Sequence, residues 1–256
     1  MAARGVGGLV GLLVANALTY LLYVSILVLV VRGDAQPARM AGGYRVVLHD
    51  RSLLRLASIN IAMIGVGWGV FSWVVPAYAH ARMGLDTRLV GTLLLANALT
   101  VTVAQLPVTR LAEGRRRTRT IAVAAFAFVA ACLLVVGADG DRSGGAYAAV
   151  LVAAVVVGIG ECLHTTVLMP LVADLAPAAL RGRYMAVVAL SWWLGLALAP
   201  TLGVQLLSVS PPLTMLVAAG VALAGGVAAL GLERLLPEAI RRTPRPARQP
   251  LGAGHG

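Results

Sequence analysis

Residues 147–173 read YAAVLVAAVVVGIGECLHTTVLMPLVA, and this run decides the fold. As a helix rising 1.5 Å per residue it would extend about 40 Å, longer than the roughly 30 Å hydrocarbon core of a bilayer. Its ionisable interruptions are Glu161 and His164, with the thiol of Cys162 between them. A soluble core helix carries a charged stripe on the face it turns to water. This segment has none, and reads as a transmembrane helix.

The same reading extends in both directions. Apolar blocks long enough to cross a bilayer fall near 6–31, 53–79, 88–112, 120–137, 147–173, 184–207 and 212–232, which predicts seven spans. Lipid offers no partner for backbone N–H and C=O groups, and the period-two alternation of a membrane barrel is absent, so the spans are helices. The first block is too long for a signal-peptide core and lacks a small-residue cleavage site after it, so it too reads as a span. Composition agrees: 59% of the residues are hydrophobic and 12% charged, with a mean hydropathy of +0.88.

The net charge of +11 comes entirely from arginine. No basic stripe interleaved with aromatics accompanies it, so no nucleic-acid partner is expected. Arginine-only usage beside abundant Ala, Gly and Val suggests a GC-rich bacterial gene. Cys132 and Cys162 both lie in apolar segments, without the spacing of a disulfide framework or a zinc site. Neither a metal nor a cofactor is expected.

Orientation follows from the arginines, since short arginine-rich loops stay cytoplasmic. With the N-terminus outside and the C-terminus inside, only Arg4, Arg82, Arg88 and Arg142 face outward, and the other 17 of the 21 lie at cytoplasmic ends. The expected organisation is a first transmembrane helix over 1–31, a cytoplasmic linker over 32–52, a six-helix group over 53–236 and a disordered cytoplasmic tail over 237–256.

Glu161 is the sharpest single residue. A carboxyl near the bilayer midplane is costly and marks a substrate site or proton pathway, or else an interhelical hydrogen bond. His164 follows at the i, i+3 spacing that lets two side chains meet; packing is its other reading. Asn60, Asn97 and Gln105 are further polar groups at depth. Asn97 and Gln105 fall within one helical face, where they either line a cavity or bridge helices. Gly65, Gly67, Gly69, Gly158, Gly160, Gly220, Gly225 and Gly226 allow close helix approach. Pro76, Pro107, Pro170 and Pro200 break backbone bonds inside or near spans. No nucleophile elbow, P-loop, zinc-protease or dinucleotide motif is present, so no enzyme is expected.

The stretch TRLAEGRRRTR, residues 109–119, is similar to the loop motif G-x-L-A-D-R-x-G-R-R of the major facilitator superfamily. Leu111 and Ala112 match, Glu113 takes the acidic position and Arg117 a basic one; Thr109, Gly114 and Arg116 depart. PLVADLAPAALRGRYM at 170–185 and LGLALAPTLG at 194–203 resemble the equivalent loop and helix of bacterial multidrug and small-molecule exporters. The resemblance implies an all-α integral membrane protein: a six-helix half bundle of that family, preceded by one extra helix. It implies proton-coupled efflux of a small molecule across the bacterial cell membrane, by a truncated or half-size transporter that associates with membrane lipid and with a second half or another copy of itself. In that setting Glu113, Arg115, Arg116 and Arg117 form the cytoplasmic loop motif, and Asp174 and Arg181 a gating ion pair. A non-transporting scaffold or assembly partner of the same fold is the alternative.

Overall fold

A computed structural model describes residues 2–30, 44–141 and 143–244, in two units divided between Met40 and Ala41. The first unit contains helix α1, Ala2–Val30. Among the described residues six helices are long and apolar enough to cross a membrane, all in the second unit. The block at 6–31 is helical as expected, and the apolar stretch described within it, Val14–Ile26, is shorter than this standard requires, so the expected count of seven is approximate. Most of the expected linker lies outside the described residues. Its last part contains a short helix α2, Tyr44–Val47.

The first span, Arg51–Met83, is built in three pieces. Helix α3, Arg51–Ile64, is capped by Asp50, whose carboxylate accepts from the backbone N–H of Ser52 at 2.8 Å and Leu53 at 3.2 Å, satisfying donors a helix start leaves free. The other oxygen of Asp50 accepts from the Tyr184 hydroxyl at 2.7 Å, tying this end to a later span. A π-helical segment, Gly65–Val74, follows, and then α4, Val75–Met83, with Pro76 in its first turn. The wider π-helical turn runs up to the point where Pro76 has no N–H to donate, and π-turns of this kind gather at functional sites.

The remaining spans are α5, Thr87–Ala112; α6, Arg117–Gly137; α7, Gly144–Leu175; α8, Arg181–Val209, entered through a 3₁₀ turn at Ala178–Leu180; and α9, Pro211–Leu232. Helix α6 packs against α7 and α9, α5 lies along α7, and the first span packs against α8 and α9. Small residues set these approaches. A Cβ on Gly195 would lie 2.7 Å from the Ile61 carbonyl oxygen, so α8 can cross the first span at this depth only as glycine. The buried Phe128 ring of α6 fills the space over Gly67 and Gly160, where a Cβ would stand 2.5 and 2.6 Å from ring atoms. The sequence shows the glycines; it does not show that one aromatic ring requires two of them.

At the arginine-rich end, Gly114 adopts φ +70°, a left-handed turn that disfavours any side chain. This accounts for a glycine inside the loop motif. The described part of the expected tail, residues 237–244, is ordered against the bundle. Glu238–Ile240 form a 3₁₀ turn, and the chain then pairs with the motif loop: Gly114 N–H donates to Thr243 O at 2.9 Å, Thr243 N–H to Arg115 O at 3.0 Å, and Arg117 N–H to Arg241 O at 2.9 Å. The loop's unpaired backbone groups recruit this segment, a demand that hydropathy does not reveal. Residues 245–256 lie outside the described residues.

Candidate functional site

Helix α7 brings the polar groups to the middle of the bundle. Glu161 is its eighteenth residue of 32 and only 5% exposed. It faces a narrow crevice closed by the π-to-α junction of the first span (Phe71, Ser72, Val75 and Pro76) and by Leu93, Leu94 and Asn97 of α5. Asn97 stands within hydrogen-bonding reach of the carboxyl and donates to the Ala154 carbonyl at 3.3 Å. No cation pairs with Glu161 among the described residues.

His164 is fully buried and points elsewhere. Its Nε2 lies 2.9 Å from Asn60 Oδ1, while Asn60 Nδ2 donates to Ser191 Oγ at 2.8 Å and Ser191 Oγ donates to Val188 O at 2.7 Å. An amide oxygen only accepts, so His164 carries its proton on Nε2. Trp68 flanks the imidazole at 6.4 Å between ring centroids and packs on Trp192 at 4.9 Å. Glu161 and His164 are therefore neighbours on α7 without bonding each other: one faces α4 and α5, the other α3 and α8. Ser191 belongs to this cluster although sequence reading passed it over; a serine beside two tryptophans deep in an apolar run was the available signal.

Gln105 is not part of the Glu161 crevice. Its Nε2 donates to Thr166 Oγ1 at 3.1 Å, and Thr109 and Thr166 hydroxyls meet at the same distance. Asn97 and Gln105 do share the face of α5 that meets α7, and both bridge helices.

The expected Asp174–Arg181 pair is not formed. Asp174 accepts from Arg117 Nη2 at 2.6 Å, and Arg181 is exposed. Arg117 is buried at the start of α6, alongside the end of α7, so it meets Asp174 directly; Arg181 lies beyond the Pro177 turn. Two of its guanidinium nitrogens, Nε and Nη1, have no partner among the described residues. Arg116 pairs with Glu233, whose other oxygen accepts from Thr118 at 2.9 Å. Arg115 is exposed, and Glu113 ends α5 half-buried, with no bond to its carboxylate described. At the opposite end Asp139 accepts from Tyr78 at 2.6 Å and from Arg82 Nε and Nη2 at 3.0 and 2.9 Å. Those Arg82 bonds hold its carboxyl below the usual carboxylate range, helped by Tyr78 and opposed by partial burial.

Among the described residues, six apolar spans around a buried carboxyl without a cation partner define a multi-pass α-helical membrane protein with a mostly apolar crevice at mid-span that holds Glu161 and Asn97. Residues 57–254 match the Major Facilitator Superfamily, and the chain belongs to that family, whose members are secondary transporters and not enzymes. No individual curated protein matches the chain.

Proposed function

We propose that the six-helix unit is one half of a proton-coupled secondary transporter that exports a small molecule, with Glu161 as the coupling carboxyl. One observation carries this reading. A carboxyl at mid-span, buried inside the bundle, has an amide beside it and no cation among the described residues, and opens on a crevice formed where the first span changes helical type. A structural carboxylate at that depth is normally paired. One left without a cation is suited to exchanging a proton with whatever enters the crevice. Asn97 orients the carboxyl, and the His164–Asn60–Ser191 cluster holds α3, α7 and α8 in register behind it.

In this proposal the arginine-rich end is cytoplasmic, giving an outside N-terminus and an inside C-terminus in a bacterial cell membrane. Transporters of this family rock two halves about a midplane site. The partner is accordingly a second six-helix half or another copy, with membrane lipid around both. The Arg117–Asp174 pair takes the gating role, because a guanidinium with two unpaired nitrogens can exchange partners as the halves move. For the test, cells producing the whole transporter are loaded with a panel of fluorescent dyes and energised by a pH gradient. Glu161→Gln should abolish gradient-driven efflux at unchanged membrane abundance. Efflux that keeps its dependence on external pH in this variant would refute the assignment.

A further inference from the structure

We propose that the groove between α5, α6 and α7 at the arginine-rich end binds one anionic phospholipid. Arg115 and Arg119 hold its phosphate, and an acyl chain lies along Leu111, Val123, Ile159 and Leu163. The arginines at this end divide into two groups. Arg116 and Arg117 are taken up by Glu233 and Asp174. Arg115 and Arg119 are exposed and have no carboxylate partner among the described residues, yet both line the same groove. Arg242 closes its rim, donating one guanidinium nitrogen to Gly114 O at 3.1 Å. Three arginines that line one groove and form no ion pair among the described residues call for an anion with several acceptor oxygens, and phosphate suits them by charge and hydrogen-bonding capacity.

The walls decide what kind of phosphate. Leu111 is 60% exposed, Val123 54% and Ile159 39%, and all three belong to membrane-crossing helices. Ile159 stands sixteen residues before the end of α7, about 24 Å along the helix. Apolar side chains thus extend from the arginine rim toward the middle of the spans, with Thr120 the polar residue among them. A soluble phosphate compound would meet only the rim and leave these side chains bare. A phospholipid satisfies both, with its headgroup at the interface and hydrocarbon against hydrocarbon. The segment after α9 completes the rim through Arg242, so its pairing with the motif loop also shapes the site.

Purified full chain in a nonionic detergent, titrated with phosphatidylglycerol and examined by native mass spectrometry, tests the proposal. One phosphatidylglycerol should remain bound at collision energies that strip phosphatidylethanolamine. The double substitution Arg115→Gln/Arg119→Gln should weaken that adduct at least tenfold, whereas Arg51→Gln/Arg55→Gln, at the same end but off the groove, should leave it unchanged. Val123→Trp, which fills the groove at an exposed and tolerant position, should weaken it with the arginines intact and reads the same site should the double variant fold poorly. Glycerol phosphate should not compete. Equal loss from both arginine pairs would reduce the effect to surface charge and overturn the proposal. So would full retention in either Arg115→Gln/Arg119→Gln or Val123→Trp, or displacement by glycerol phosphate.

Discussion

Glu161 and His164 stand three residues apart on one helix, and their surroundings are opposite. His164 lies in a closed set: Asn60 accepts from it, Ser191 accepts from Asn60, and the Val188 carbonyl accepts from Ser191. Three helices are joined there by side chains whose polar groups are nearly all served, with only the imidazole Nδ1 lacking a partner among the described residues. Glu161 has an amide neighbour, no cation and a crevice in front of it. In hydrocarbon, a served polar group fixes geometry, while an underserved one is costly and persists where it does something else. One face of α7 holds the bundle together, and the other is available for chemistry.

Replacing each residue by glutamine is the sharpest way to break this comparison. Glu161→Gln keeps size and hydrogen-bonding capacity but removes the exchangeable proton, so gradient-driven efflux should fall to the level of cells lacking the protein, with the thermal midpoint of the purified chain little changed. His164→Gln should do the reverse, lowering the midpoint while leaving efflux per folded molecule within a few fold. If both variants lose transport and keep stability, the two faces are one proton pathway and the division is wrong.

The next largest effect concerns the crossing behind His164. Gly195 lies one turn past Ser191 on α8, and its absent Cβ leaves room for a backbone oxygen of the first span. Backbone yields less than a side-chain tip, so Gly195→Val should cost about 3 kcal/mol or more, at the upper end for overpacking. Gly91→Ala, on α5 with nothing within 4 Å of the new methyl, should be neutral or slightly stabilising, because alanine is the better helix former. Thermal unfolding in detergent reads both; equal midpoints would mean that the crossing is not close.

Asn60→Leu is a smaller perturbation. It leaves His164 Nε2 without an acceptor and Ser191 without its interhelical partner. An unpaired buried group costs about 1–3 kcal/mol, but interhelical hydrogen bonds in membranes average nearer 0.6 kcal/mol. A loss of about 1–2 kcal/mol is expected, with dye efflux per folded molecule preserved. Efflux lost at full stability would place Asn60 in the transport path.

Hydropathy made the spans legible because an apolar run of that length has one stable solution in a bilayer. The block at 88–112 became α5 at Thr87–Ala112, and that at 212–232 became α9 at Pro211–Leu232. Glu161 stood out because charge at depth is rare. Partners were less legible. Asp174 was assigned to Arg181, a near neighbour along the chain, but helix ends meet across the bundle, where Arg117 lies within reach. Gln105 shares a face with Asn97, but periodicity gives direction around a helix and not depth along a partner, so it meets Thr166 instead. The π-helical segment has no composition that separates it from an ordinary helix. The pairing of 241–243 with the motif loop depends on backbone demand alone.

Asp139 offers the gentlest test, since it is a fully served carboxylate outside the hydrocarbon and so the counterpart of Glu161. Tyr78 and Arg82 reach it from the end of the first span and anchor that span to the turn between α6 and α7. Its carboxyl is held low in the folded protein, so folding favours the ionised form. The stabilisation is therefore complete above the unfolded value, near pH 4, and is lost as pH falls through the lower folded value. Wild-type thermal midpoints should respond little to this group between pH 7 and about pH 4 and lose its contribution below that range. Asp139→Asn should lower the midpoint slightly at pH 7, with the deficit against wild type closing as the pH falls toward 3. The effect should be small, because the Arg82 side chain is 43% exposed and the pair is screened by water and salt. A deficit of constant size at every pH would mean that Asp139 holds the turn by shape and hydrogen bonding rather than by charge.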